Sequence, residues 1–452
     1  MRQFIPEYKY LLRLGSPILL SQLGVVLLAF SDTLMVGNYG VAELAASAFV
    51  NSLFLIFNVM LVGLSGGVTP LVGALYAVDD NYRVGRVTRS ALQVNVLVAL
   101  AFTAGMAALY FLLDGFGQDT AIMPLVHDYY LVLLPQPLLI SLFFVLMQTC
   151  NGVSYTALPM YVTLLMVALN IAGNYALIYG RWGMSEMGLL GAGVATISAR
   201  IIALVVIWLA FRYMRRFEKY QQGFRDFTGL GKDRRQVWTT SWPLMIQSGL
   251  ECLLWTVGAV VVGWFGAVQL AAYQVINTIG QLAFMMFTSF GTAVTIRVAN
   301  FAGVGDEAGA GRTARAGLHI NLLLATAVCV LYIFAGHDMV HMFVAAAHDT
   351  ADAAAVITSA YGLILPLIVY QYMDATQVTM CNAIRGTGRV LPLLWISLTA
   401  YVAVGGTFLV LFASVLGWGN QGAYWSFDLA LLVASVMATV VFRRIRLRDR
   451  VV

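Results

Sequence analysis

Three carboxylates stand inside apolar runs of this chain, where a charge has little reason to be. Asp32 lies deep in 15–37 (GSPILLSQLGVVLLAFSDTLMVG), a run with no other charge, flanked by Ser31 and Thr33. Glu251 lies in a run that follows Ser241-Trp242-Pro243. Asp374 sits mid-run in LILPLIVYQYMDATQVTMCNAIRG, with Gln371 and Gln377 one turn away on either side. A carboxylate at membrane depth costs about 2.5–3.5 kcal/mol, so chains keep one mainly where it faces a cavity or a partner. Such an acid can carry a proton, and a pair of acids with amide oxygens can instead hold Na⁺. One buried acid can also do no more than bond Ser, Thr or Asn across a helix interface. Three of them, spread over both halves of the chain, favour the ion-carrying role.

Other polar residues can support these acids. Asn170 and Asn174 are four apart, on one face of the fifth apolar run. With Thr196 on the sixth run they can face Asp32, or they can simply join helices. Tyr273, Phe284 and Tyr370 fall near the helical faces of Glu251 or Asp374. An aromatic surface there can hold a flat organic cation, core packing being the plainer role. Arg200 is the one cation set within a run, and Arg297 lies toward the inner end of the eighth. Pairing or snorkelling fits both better than substrate binding. Asp428, about a third into the last run, reads as interfacial. Cys150, Cys252, Cys329 and Cys381 all fall in apolar runs and read as reduced, packed thiols. The tracts GLSGG (63–67) and GLLGAG (188–193) lack the lysine and preceding strand of a phosphate loop. Small residues that permit close helix packing explain them.

The elements that must position these residues are membrane helices. Of 452 residues, 60% are hydrophobic and 10% charged, against about 25% charged in a soluble domain. Twelve apolar runs follow: 15–37, 46–76, 89–113, 125–150, 158–180, 188–212, 239–263, 271–303, 315–345, 353–380, 390–416 and 421–442. The second and eighth exceed one bilayer crossing and are expected to tilt, bend or protrude. Lys and Arg cluster at the N-terminus, at 83–89, at 213–238, at Arg312 and Arg315, and in the tail (Arg443, Arg444, Arg446, Arg448, Arg450). The alternate loops are almost free of them, Arg181 excepted. By the positive-inside rule both termini and the middle loop are cytoplasmic. The net charge of +5 therefore reflects topology rather than nucleic acid. The N-terminal stretch runs straight into a full span and is not expected to be a cleaved signal.

The chain also repeats itself. A shift of 226 sets Pro17 on Pro243, Gly37 on Gly263, Asn51 on Asn277, Asp80 on Asp306 and Arg86 on Arg312. A shift of 231 sets Tyr130 on Tyr361, Pro135 on Pro366 and Cys150-Asn151 on Cys381-Asn382. The acids do not coincide: Glu251 falls opposite Val25, Asp32 opposite Gly258, and Asp374 opposite Phe143. With an even number of spans per half, the copies are parallel repeats about an axis along the membrane normal. The expected domains are an N-lobe (1–212), a cytoplasmic linker (213–238) and a C-lobe (239–452). Two such lobes with a cavity between them suit an alternating-access transporter.

The strings FSDTLMVG (30–37), LNIAGNYALIYG (169–180), AAYQVINTIGQLAFM (271–285), VTIRVANFAG (294–303) and MDATQVTMCNAIRGTG (373–388), with the Glu251 span, resemble the multidrug and toxic compound extrusion (MATE) family, of the NorM-like bacterial type. The resemblance runs essentially end to end. It implies an all-α polytopic protein of twelve transmembrane helices in a V-shaped, two-lobed fold. It implies a monomeric drug-efflux antiporter of the bacterial inner membrane, conferring drug resistance by exporting organic cations in exchange for Na⁺ or H⁺. No cofactor beyond the coupling ion and no nucleic acid are expected. By position, Asp32 is then the first-lobe ion residue beside Asn170, Asn174 and Thr196. Glu251 and Asp374 are the second-lobe pair and Na⁺ candidates, supported by Gln274, Gln377 and the aromatics. The DinF-like branch has an aspartate where this chain has Asn174 and lacks the second-lobe pair, which favours the NorM-like type. A lipid-linked saccharide flippase would want a basic cavity. An intramembrane aspartyl protease would want Gly-x-Gly-Asp before a buried acid, and the only such string ends at Asp306 in a loop.

Overall fold

In lipid every backbone polar group must be satisfied within the chain, and an apolar run of about twenty residues does this as a helix. The computed structural model describes residues 4–344 and 350–447; Arg448 and Arg450 of the basic tail lie outside them. Among the described residues there is no β-strand. Eleven helices are long and apolar enough to cross a membrane, or twelve when a bent pair counts as one span. In order they are Ile5–Tyr39, Val41–Ala77, Asn81–Tyr110, Met123–Gly152, Ala157–Ile178, Gly188–Tyr213, Gly231–Gly263, Ala267–Val304, Glu307–Met342, the pair Ala353–Tyr361 and Ile364–Gly386, Leu391–Val415, and Gly419–Arg444. Each of the twelve expected runs corresponds to one of them with ends within a few residues, the ninth run ending at 345 outside the described residues, so the chain is an all-α, multi-pass membrane protein.

The breaks fall where small residues and prolines put them. The second span is interrupted between Ser65 and Val68. There a Cβ on Gly67 would lie 2.4 Å from the Ser241 hydroxyl, so only glycine fits. Pro135 separates Met123–Leu133 from Gln136–Gly152. The tenth span bends by 47° before Ile364. The eighth runs unbroken for 38 residues and ends on Gly305 in the left-handed region at φ 74°. In the eleventh, the turns over Leu398–Gly406 and Val410–Val415 widen to the π-helical form. The four cysteines are free, Cys252 half-buried and the others buried, as packed thiols should be.

The chain forms two compact units: Leu20–Met245 is the first, and residues up to Leu19 together with Ile246 onward form the second. The internal repeat is visible in each. Asp80 accepts a hydrogen bond from the Arg83 N–H at 3.0 Å, capping the third span. Asp306, 226 residues on, accepts one from the Gly309 N–H at 2.8 Å. The Gly-x-Gly-Asp string is thus a helix cap.

The segment 213–238 is docked on the first unit rather than free. Helices Arg215–Glu218 and Gln221–Arg225 lead into the seventh span. A Cβ on Gly223 would lie 1.8 Å from the Tyr82 carbonyl oxygen, so the two backbones touch. Around this contact Arg86 pairs with Asp226 and with Asp233, both at 2.8 Å, and Arg89 donates to the Phe224 carbonyl at 2.7 Å. The Tyr82 hydroxyl donates to Asp226. That bond first, then the Thr228 N–H and hydroxyl, with Arg86, hold Asp226 well below the usual carboxylate range. In the second unit Arg297 pairs with Glu7 at 3.0 Å, and its guanidinium lies 4.2 Å over Tyr10 and 4.3 Å over Phe301. Arg297 is therefore a paired cation, as its position in the sequence suggests.

Candidate ion-coupling sites

In the first unit the fifth and sixth spans pack closely because Gly191 lets them touch: a Cβ there would lie 2.6 Å from the Leu177 backbone. This closeness aligns a chain of side chains. Asn170 Nδ2 donates to Thr196 Oγ1 at 3.0 Å, and Asn170 Oδ1 accepts from Asn174 Nδ2 at 3.3 Å. Asn174 Nδ2 donates also to Asp32 Oδ1, and Asn170 acts on Asp32 too. Both asparagines are fully buried, at 0% exposure. The four residues expected here from sequence are therefore one connected group.

Two further residues join it. The Arg200 guanidinium acts electrostatically on Asp32 and on Tyr129, and Tyr129 is hydrogen-bonded with Asn51. Arg200 sits four residues after Thr196, hence on the same face of the sixth span, and that spacing is the signal that assigns it here. It also lines a cavity of about 80 Å³ with Gln22, Phe143, Phe144, Met147 and Thr163. Its Nε is buried with no hydrogen-bond partner. Tyr129 carries no comparable signal in the sequence.

In the second unit Asp374 is 1% exposed and its Oδ2 has no hydrogen-bond partner. Glu251 acts on it electrostatically, so the seventh and tenth spans bring the two acids together. Tyr370 is buried, acts on both acids, and packs its ring 5.6 Å from Trp255. Gln377 Nε2 donates to the Tyr401 hydroxyl at 2.8 Å and to Cys381 Sγ at 3.6 Å. Tyr273 is buried beside Tyr424, with ring centroids 5.6 Å apart. Two expected residues do not join the acids: Gln274 is exposed, and Phe284 packs with Ala283, Phe287 and Val378.

Two sequence expectations need correction. Arg200 is not the one cation within a span, because the tenth helix continues to Gly386 and includes Arg385. Arg385 acts on Glu251 and lies on the stripe Tyr370, Asp374, Gln377, Cys381, Arg385, spaced three or four apart. Asp428 is not interfacial but 5% exposed, with both carboxylate oxygens buried and without partners. Depth along a run does not reveal that neighbouring helices cover that end of the span.

The fold and these sites define a polytopic helical transporter built from two related halves, each with acids set among its helices. The MatE family pattern matches residues 17–176 and 243–408, and the chain belongs to that family, the MATE transporters. It is 27% identical, over 97% of its length and 94% of the relative's, to the probable multidrug resistance protein NorM of Rhizobium meliloti (strain 1021). Its fold matches that of the eukaryotic MATE transporter AtDTX14, with a TM-score of 0.89 at 17% identity, over 99% of this chain and 98% of that one. It also matches a MOP superfamily transporter from Pyrococcus furiosus, for which a reverse polarity of the binding pocket suggests a different function. There the TM-score is 0.85 at 17% identity, over 97% and 95% of the chains.

Proposed function

We propose that this MATE transporter is a secondary active multidrug antiporter, expelling organic cations in exchange for Na⁺ or H⁺ by alternating access. The observation that carries this reading is the placing of acids among the helices of both units: half-buried Asp32 with its amide chain in one, half-buried Glu251 with buried Asp374 in the other. The NorM relative's description as a multidrug resistance protein supports the drug-export part. Each unit also sets a guanidinium near its acid, Arg200 by Asp32 and Arg385 by Glu251. Asp32 and Glu251 thus keep a positive neighbour when the coupling ion leaves. When the ion returns it weakens that attraction, so ion-bound and ion-free forms favour different arrangements of the same helices. Coupling needs such differential affinity between two states. The membrane is the bacterial inner membrane with both termini cytoplasmic, which the loop charges support. The protein acts as a monomer, needs no cofactor beyond the coupling ion, and catalyses no covalent reaction. The domains act as an N-lobe, on which 213–238 is docked, and a C-lobe that takes in the residues up to Leu19.

The test is efflux of a fluorescent organic cation from proteoliposomes under an imposed Na⁺ gradient or an imposed pH gradient, one at a time. Either gradient is expected to drive efflux in the native protein, and Glu251→Gln and Asp374→Asn to abolish it. Full efflux in both variants would overturn the role given to these acids.

A further inference from the structure

The twelfth span carries an acid that the sites above do not use. Asp428 is 5% exposed, and neither carboxylate oxygen has a hydrogen-bond partner. Buried polar groups in folded proteins are nearly always bonded, so an unbonded carboxyl calls for an explanation. The fold itself does not require it. At the spacing of 231 that pairs Gly188 and Gly191 with Gly419 and Gly422, Asp428 falls opposite Ile197.

Its surroundings supply a route. Asn420, Tyr424 and Asp428 are four residues apart and lie one above another on a single helix face. At the upper end Asn420 forms part of the wall of a cavity of about 680 Å³, with Gln269, Ser359 and Gln421. Asn420 Nδ2 donates to Ser359 Oγ at 2.9 Å, and Ser359 Oγ donates to Gln269 Oε1 at 3.1 Å. One turn deeper, Tyr424 is 1% exposed and donates its hydroxyl to Asn277 Oδ1 at 2.6 Å. Asp428 and Tyr332 both act electrostatically on Tyr424. Tyr332 accepts a bond from Gln371 Nε2 at 3.4 Å, and Gln371 stands one turn before Asp374. Polar side chains thus stand between the cavity and Asp428, and between Asp428 and the acids proposed above to carry the ion. The elements packed against the twelfth span carry Tyr273 and Arg297 on the eighth, Tyr370, Tyr372, Asp374, Cys381 and Arg385 on the tenth and Tyr401 on the eleventh, and none of these acts electrostatically on Asp428. Among the described residues no lysine, arginine or histidine faces Asp428. Among the described residues it belongs to no group of three or more His, Cys, Asp or Glu that could hold a metal ion.

We propose that Asp428 is an additional proton-carrying site of the second unit, filled and emptied from the cavity between Gln269 and Asn420. In each exchange the carboxylate takes one proton to become the neutral acid and returns it on release, with no other bond made or broken. This rests on the reading of the protein as an ion-coupled transporter. The first readout is proton uptake by the purified full-length protein on acidification, followed with a pH-indicator dye and by the carboxyl C=O band in difference infrared spectra. Asp428→Asn is expected to lose one titrating carboxyl and one proton per molecule relative to the native protein, and Asp428→Glu to keep both. The melting temperature of Asp428→Asn is expected to stay at or above the native value, since the amide needs no proton to be neutral. Unchanged uptake and an unchanged carboxyl band in Asp428→Asn would overturn the proposal. The second readout is pH-driven efflux of tetraphenylphosphonium, in which Asp428→Asn is expected to shift the pH profile. If the native protein titrates at Asp428 but shows no gradient-driven efflux, the antiporter reading fails and the proton site stands.

Discussion

The chain of bonds from Thr196 to Asp32 makes a graded prediction. Asn174→Ala removes the amide that donates directly to Asp32. A hydrogen bond to a charged group contributes about 1.5–3 kcal/mol. That bond favours the bare carboxylate, so without it Asp32 should hold the coupling ion with roughly 10- to 100-fold higher apparent affinity, at about 1.4 kcal/mol per tenfold change. Asn170→Ala removes a neutral bond at 3.3 Å and a weaker contact with Asp32. A neutral bond contributes about 0.5–1.5 kcal/mol, so the gain should be roughly two- to tenfold. Thr196→Val acts two links away, through the 3.0 Å bond from Asn170, and should change the affinity by about twofold or less. The assay is the Na⁺ or H⁺ concentration giving half-maximal efflux of tetraphenylphosphonium from proteoliposomes. The melting temperature of each purified variant separates changed affinity from lost fold. Equal shifts in the three variants, the largest shift in Thr196→Val, or a weaker ion affinity in Asn174→Ala would refute the idea that the group acts through its bond to Asp32.

Three further outcomes follow from other contacts. Gly223→Val must push the segment 213–238 off the third span, because the added Cβ would lie 1.8 Å from the Tyr82 carbonyl. Overpacking of this kind costs about 1–3 kcal/mol, so a lower melting temperature and faster proteolysis at 219–236 are expected, and native values for both would argue against the docked contact. Because Asp226 is held below the usual carboxylate range when docked, it stabilises docking fully above its undocked value of about 3.9. Protease protection of this segment should therefore be flat from about pH 8 to 5 and fall only below about pH 4; a loss centred near neutrality would contradict the assignment. Tyr401→Phe removes the acceptor of the 2.8 Å bond from Gln377. That is about 1 kcal/mol, so the half-maximal ion concentration should rise about fivefold, against abolition in Asp374→Asn.

The reach of the sequence differed between the two units for a structural reason. In the first, Asn170 and Asn174 share a helix face, and the family resemblance set them with Thr196 beside Asp32. In the second, the repeat misleads. The position opposite Asp32 is Gly258, where a Cβ would lie 2.4 Å from the Phe427 ring, so no acid fits. Phe427 itself stands at the place of Thr196 in the repeat. The second unit fills that place with Trp255, Phe427 and Tyr273 and carries its acids on Glu251 and Asp374 instead. Tyr401 and Tyr129 were not legible because each reaches its site across a helix interface, and hydropathy does not say which side of a span meets which neighbour. Asp428 was misplaced for a related reason, since depth was read along one helix while burial came from the others. The number and order of the spans were legible throughout, because apolar length suffices to give them.

The division of the chain bears on how it is made. The first unit is one unbroken stretch and holds all its residues once Met245 has been synthesised. The second takes in the residues up to Leu19, which leave the ribosome before the first unit does, and cannot be assembled until the helices after Met245 follow. Glu7 must wait through 290 residues of translation for Arg297, and Leu11 and Leu14 wait as long for Ala293 and Val298 to cover them. The earliest part of the nascent chain is thus committed to the latest part of the fold. Trimming the first dozen residues should leave the first-made half intact and strike the half made last.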